Sequence, residues 1–297
     1  MALPILNTQT FELNIPSTDE KIKYRPFLVK EEKILLQAQE GSGDEVTDAI
    51  LQIVDNCTFG KINVDQLPSF DIEYIFLKIR SKSVGEKVKL NLSFPGDEKT
   101  KVQTEVDLSK IIVEMDDDHT NQISLTDNVS VIMRYPTVKT FQGMDLTKFT
   151  ADDTIALTAN CIHQIVDGVE TYEARDLSKK EINDFLENLT QQQFTAIQKF
   201  FASMPKLTHD VKLTHPKTKK KGTVKLQGLR SFFLICLSHI NLETFYDLNF
   251  KMIQLHHWSL TEIENMLPYE REVYLTLLNE HVKQENEKMR EAQSRRR

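Results

Sequence analysis

Ile72, Ile75, Phe76 and Ile79 stand at i, i+3, i+4 and i+7, the spacing that lines one apolar stripe along a helix. Ser69 is expected to cap that helix, with Asp71 and Glu73 in a first turn where the dipole favours negative charge. Lys78, Arg80 and Lys82 load its last turn, and Gly85 offers the left-handed stop. The period then changes to two. Val88, Leu90, Leu92 and Phe94 alternate with Lys87, Lys89, Asn91 and Ser93, so a half-buried strand follows and turns at Pro95-Gly96-Asp97. Val102, Thr104, Val106 and Leu108 predict its partner. The rest of the chain is read around this helix-to-sheet junction.

Upstream, Phe11, Leu13 and Ile15 alternate, and after the turn Pro16 to Glu20 so do Ile22 and Tyr24, which predicts an opening hairpin. Pro26 ends it. Helices are expected over 30–39, with Ile34, Leu35 and Ala38 inward, and after a cap at Asp44, with Ala49, Ile50, Ile53 and Val54 inward. Downstream, strands are predicted at Ile111 to Met115 and Val129 to Tyr135. From Thr150 onward the pattern reads as helical: Ile155, Ala159, Ile162 and Val166 share a face that ends at Asp167-Gly168, and His163 is placed on the buried side of that helix. Ser178 to Glu181 and Thr190 to Gln193 have capping-box spacing. A second hairpin follows over 211–226, its tip made of Lys217, Lys219, Lys220 and Lys221; such a run reads as a solvated turn. The helix-then-hairpin order thus occurs twice.

The last stretch is helical again. Phe232 to Leu237 is strongly apolar. Ser259 and Glu262 form a capping box, with Trp258 and Ile263 placed to close a hydrophobic staple around it. Pro268 suits the first turn of a final helix carrying Val273, Tyr274, Leu277, Leu278 and Val282. Past Lys283 that helix is polar on every side. Trp258, Val273, Tyr274, Leu277 and Leu278 are therefore the candidate partner-binding residues, as a stripe suited to a helix-in-groove contact. The competing assignment has the same stripe covering the apolar run at Phe232 to Leu237.

These patterns predict an α+β protein: hairpins and helices around a central helix, then a mainly helical part interrupted by one β-hairpin. The boundaries read as 1–136 for an α+β domain, 137–230 for a helical domain with the hairpin 211–226, and 231–297 for a C-terminal helical extension. Charged residues make up 27% of the chain and the formal net charge is −7, which speaks against a general nucleic-acid binder. No apolar run has the length of a membrane span, and Met1 to Leu6 lacks the lead-in of a signal peptide. Cys57, Cys161 and Cys236 are scattered and read as buried thiols rather than a disulfide framework.

No phosphate-binding glycine loop, nucleophile elbow, zinc-protease helix or Cys-x-x-Cys is present. His256 and His257 are adjacent, so one helical face cannot direct both rings to a single metal. Asp116-Asp117-Asp118 lacks the spaced ligands and central glycine of a calcium loop and reads as a solvated turn. No catalytic residue, cofactor site or metal site is expected. An enzyme with a dispersed active site, and a metal- or nucleic-acid-binding module, are the competing classes.

Four stretches carry a resemblance: Tyr24-Arg25-Pro26-Phe27-Leu28-Val29-Lys30-Glu31-Glu32-Lys33, Leu67 through Glu86, Leu125-Thr126-Asp127-Asn128, and Arg134-Tyr135-Pro136-Thr137. Over roughly residues 3 to 230 the chain resembles the baseplate hub protein family of T-even-type contractile-tailed bacteriophages. In that family the second hairpin often looks like a cysteine knuckle, and here the turn has no cysteine. The part from Trp258 to Glu272 is similar to the helical end of related hub-assembly proteins. The resemblance implies a non-enzymatic role in building the central hub, as structural subunit or assembly factor. It implies partners among the other baseplate hub proteins and the tape-measure protein, with no nucleic acid and no membrane. The implied location is the host cytoplasm during assembly and the virion tail baseplate.

Overall fold

A computed structural model describes residues 9–142, 150–228, 231–233, 237 and 239–294, and the side chains at 98 and 292 are left aside. Leu234, Ile235 and Cys236 of the run Phe232 to Leu237, and Arg295 to Arg297, therefore lie outside the described residues. In chain order the elements are β1 (Phe11–Asn14), β2 (Lys21–Tyr24), α1 (Val29–Gln39), α2 (Gly43–Cys57), α3 (Ser69–Ser83), β3 (Lys87–Phe94) and β4 (Asp97–Asp107). Then come β5 (Val113–Glu114), β6 (Gln122–Ser124), β7 (Val129–Met133), α4 (Ala151–Cys161), β8 (Ile162–Asp167), β9 (Glu170–Glu173), α5 (Lys179–Glu187) and α6 (Gln191–Ser203). The chain closes with β10 (Lys206–Thr214), β11 (Lys221–Gln227), α7 (Leu242–His256), α8 (Leu260–Glu264) and α9 (Pro268–Ser294). The architecture is α+β.

Helix α3 is the centre, and it is buried on more than the predicted stripe. Ile72, Ile75, Phe76 and Ile79 are fully covered, as are the polar Asp71, Arg80 and Ser83. Those polar groups survive burial because each finds a partner. Arg80 Nη1 donates to the carbonyl of Gly85 at 2.5 Å, and Ser83 Oγ accepts the backbone N–H of Phe27 at 2.8 Å. The helix start differs from expectation. Pro68, not Ser69, is the cap residue and no side chain caps the helix. Ser69 N–H instead donates to Pro136 O at 3.0 Å, and Pro68 bridges Thr137. Asp71, expected to serve the first turn, instead accepts from the backbone N–H and hydroxyl of Ser17 in the β1–β2 turn. The second helix is likewise capped by Ser42 rather than Asp44.

Two hydrophobic cores form. The first gathers α1, α2 and α3, the β1–β2 and β3–β4 hairpins, the β10–β11 hairpin and buried residues of α7 and α8. The second lies between the antiparallel sheet β6-β7-β8-β9 and α5 and α6. After Ile111 the chain builds the second core, touching the first again at Val138, and rejoins it when β10 pairs with β5 (Lys206 with Glu114, Leu207 with Val113).

Residues Ile162 to Val166 are a strand, not the end of a helix. Their Ile-His-Gln-Ile-Val sequence is rich in β-branched side chains, and pairing with β7 sets Ile165 against Val131 over the second core. A five-residue apolar pattern fits either period, and the neighbouring strand decides between them. His163 consequently lies exposed on β8 instead of buried on a helix. The segment after Pro136 thus carries β8 and β9 in addition to the expected hairpin, whose strands run from 206 to 227. Expected strand Ile111 to Met115 contracts to two residues.

Candidate partner-binding surface

The C-terminal helices are held to the first core by a few strong anchors. Helix α7 ends at His257, which takes a left-handed conformation (φ 59°) and gives its N–H to Met252 and Ile253 carbonyls. The Ser259–Glu262 capping box is formed: Glu262 Oε2 accepts Ser259 N–H at 2.9 Å and Ser259 Oγ accepts Glu262 N–H at 3.2 Å. Those Ser259 hydrogen bonds hold the Glu262 carboxyl below its ordinary range. Ile263 is buried and Trp258 packs against the same core. The Met266 carbonyl accepts Val29 N–H at 2.9 Å, tying the α8–α9 link to the start of α1.

A buried charge cluster completes the attachment. Arg271, 3% exposed in the first turn of α9, donates Nη2 to Glu32 Oε2 at 2.7 Å; Glu32 is 0% exposed on α1. The other Glu32 oxygen faces His239 Nε2 at 2.8 Å. The guanidinium lies over the Phe245 ring of α7, 4.8 Å from its centroid, and reaches Asn249 Oδ1 at 3.4 Å. The sequence reading missed this cluster, because no window joins residues 32, 239 and 271.

Beyond Arg271 the character of α9 changes. Val273 is 53%, Tyr274 48% and Leu277 55% exposed, while Leu278 is half-buried and Leu275 packs on the core. Trp258 is half-buried with its ring edge-on to Tyr274, centroids 5.3 Å apart. Of the predicted residues, Val273, Tyr274 and Leu277 thus share the open side of α9, and Trp258 joins that side to the core. Every described side chain from Asn279 to Ser294 is exposed.

Exposed apolar groups concentrate here: of 15 large exposed hydrophobics among the described residues, ten lie between 242 and 294. They include Tyr246, Phe250, Leu255 and Leu260, which sequence reasoning did not single out. Their signal is present in hindsight. Helix α7 buries Phe245, Asn249 and Met252, yet also has large apolar groups at 246, 250 and 255, a wider apolar arc than one buried face needs. Exposed apolar patches occur at protein–protein contacts, ligand grooves and membrane-facing surfaces.

Among the described residues no group of three or more His, Cys, Asp or Glu is placed to hold a metal ion. No described helix is long and apolar enough to cross a membrane. Burial pushes the thiols of Cys57 and Cys161 upward, the latter to about 12.

A family model of the T4 bacteriophage base plate protein matches residues 7–234. No curated protein and no solved structure matches the chain. The match covers the second core, most of the first and the lysine-tipped hairpin, and stops short of α7, so the apolar surface of α7 to α9 lies beyond it. The chain belongs to the T4 bacteriophage base plate protein family.

Proposed function

We propose that this baseplate protein acts in assembly of the central hub, by binding other proteins and without catalysis, and that α7 to α9 are the docking element. The observation that carries the reading is an exposed apolar surface at 273, 274 and 277 on a helix whose first turn is pinned by the Glu32–Arg271 pair. A rigidly placed apolar stripe loses little conformational freedom on docking, which favours affinity. Its partners are the other baseplate hub proteins and the tape-measure protein, met in the host cytoplasm during assembly and retained in the virion baseplate.

Val273→Glu with Leu277→Glu tests this. Both positions are exposed, so the variant is expected to fold and melt like the parent. Co-expressed with the hub and tape-measure proteins, it should fail to co-purify with them and fail to complement tail assembly. Normal co-purification and assembly would refute docking through this surface. Mass spectrometry of purified virions then separates a structural subunit, which remains in the particle, from an assembly factor, which does not.

A further inference from the structure

The tips of two hairpins distant in sequence are locked together. His215, buried at the end of β10, has Nε2 3.3 Å from Asp97 Oδ2 at the β3–β4 turn, and its ring meets Phe94 edge-on at 5.0 Å. Its Nδ1 accepts the backbone N–H groups of Lys217 and Thr218, both at 3.1 Å, so the Nε2 hydrogen is the one directed at Asp97. A Cβ at Gly222 would come within 3.1 Å of the Phe94 ring and 3.2 Å of Pro95, so the glycine permits this close approach. The joined tips display Lys99, Lys101, Lys217, Lys219, Lys220 and Lys221, all exposed. None of the six pairs with a described carboxylate within 4 Å. Asp97 is engaged by His215 and by Thr100 Oγ at 2.7 Å.

Acidic side chains stand at the base of β10. The described residues of 108–205 carry 14 acidic against 7 basic side chains, in a chain whose formal net charge is −7. From Lys206, paired with β5, strand β10 takes eight steps to Thr214, which puts the tip roughly 27 Å from its base. Antiparallel β5 runs away from the tip, into the exposed residues Asp116, Asp117 and Asp118.

We propose that the chain associates head to tail with a second copy of itself, the lysine-bearing tips of one molecule meeting the acidic Asp116–Asp118 stretch at the base of the next. At physiological salt charges act over about 8 Å, well below the tip-to-base span, so the two ends attract locally while the net repulsion is screened. A nucleic acid fits less well, since the tips offer no exposed aromatic ring for bases to stack on. Tip meeting base is a heterologous contact, which closes into a ring or continues as a filament.

Sedimentation velocity on the full chain tests the proposal, with far-UV circular dichroism and melting to check each variant. In about 0.1 M salt the wild type should show mass rising with concentration, and in about 1 M salt, where charges act over about 3 Å, only monomer. Lys217→Glu/Lys220→Glu/Lys221→Glu should be monomeric in both, as should Asp116→Lys/Asp117→Lys/Asp118→Lys. Mixing the two variants should restore association, because each supplies the charge the other lost. Should one variant fail to fold, Lys217→Ser/Lys220→Ser keeps the test open and should also be monomeric. A wild type that is monomeric at about 0.1 M salt, association untouched by the tip variants, or a mixture that stays monomeric each overturns the proposal. So does a single-stranded oligonucleotide that binds the tips while the protein stays monomeric.

Discussion

Arg271→Met should destabilise the protein by about 3–5 kcal/mol, because it strands a buried carboxylate. Glu32 is 0% exposed and its Oε2 has Arg271 Nη2 at 2.7 Å as its cation. With charge centres about 4 Å apart and an effective dielectric near 20, the attraction is about 4 kcal/mol. Desolvating both ions offsets much of that, so the pair itself adds little net stability; removing one member exposes the desolvation cost of the other. His239 keeps its 2.8 Å contact to the remaining oxygen, which places the expected loss at the lower end of the range. The double variant Glu32→Leu/Arg271→Met should recover to within about 1 kcal/mol of wild type, since an apolar pair of similar volume has no such cost. Equilibrium urea unfolding, compared at constant m value, gives both numbers. Arg271→Met within about 0.5 kcal/mol of wild type would refute the reasoning, since that is the spread of surface substitutions.

A chain ending at Leu278 should keep its melting temperature, because every described side chain beyond it is exposed, whereas one ending at Leu267 should melt much earlier through loss of Arg271; equal melting of the two would contradict the anchoring role. Ile75→Asp should abolish soluble folded protein, as an unpaired carboxylate in the fully buried face of α3 costs several kcal/mol against a total of about 5–15; a soluble variant with a normal melt would mean that this face is not core. Burial raises the Asp71 carboxyl to about 6, against the hydrogen bonds from Ser17 that oppose the shift. A raised carboxyl stabilises the fold most below its ordinary value near 4, and that contribution is lost as pH climbs through about 6. Wild type should therefore lose stability relative to Asp71→Asn between about pH 4 and 6, by at most ~3 kcal/mol, in urea titrations at each pH; parallel curves would sink the assignment.

What the sequence alone determined was local. The capping boxes at Ser178, Thr190 and Ser259, the four inward positions of α3, and the alternation of β3 with β4 all appear in the structure where periodicity placed them. Each is settled within one or two turns, because the orphan N–H groups of a helix start or the pleat of a strand are satisfied by close neighbours. The tertiary structure decided everything that depended on a distant partner. Ile162 to Val166 became a strand because β7 was there to pair with it. Asp71 left its own helix start for Ser17, 54 residues earlier, and Glu32 found Arg271, 239 residues later. His215 joined the two hairpin tips through Asp97, 118 residues away. A buried polar or charged group must be satisfied, but the requirement does not say by whom, and only the packed chain brings the partner within hydrogen-bond distance.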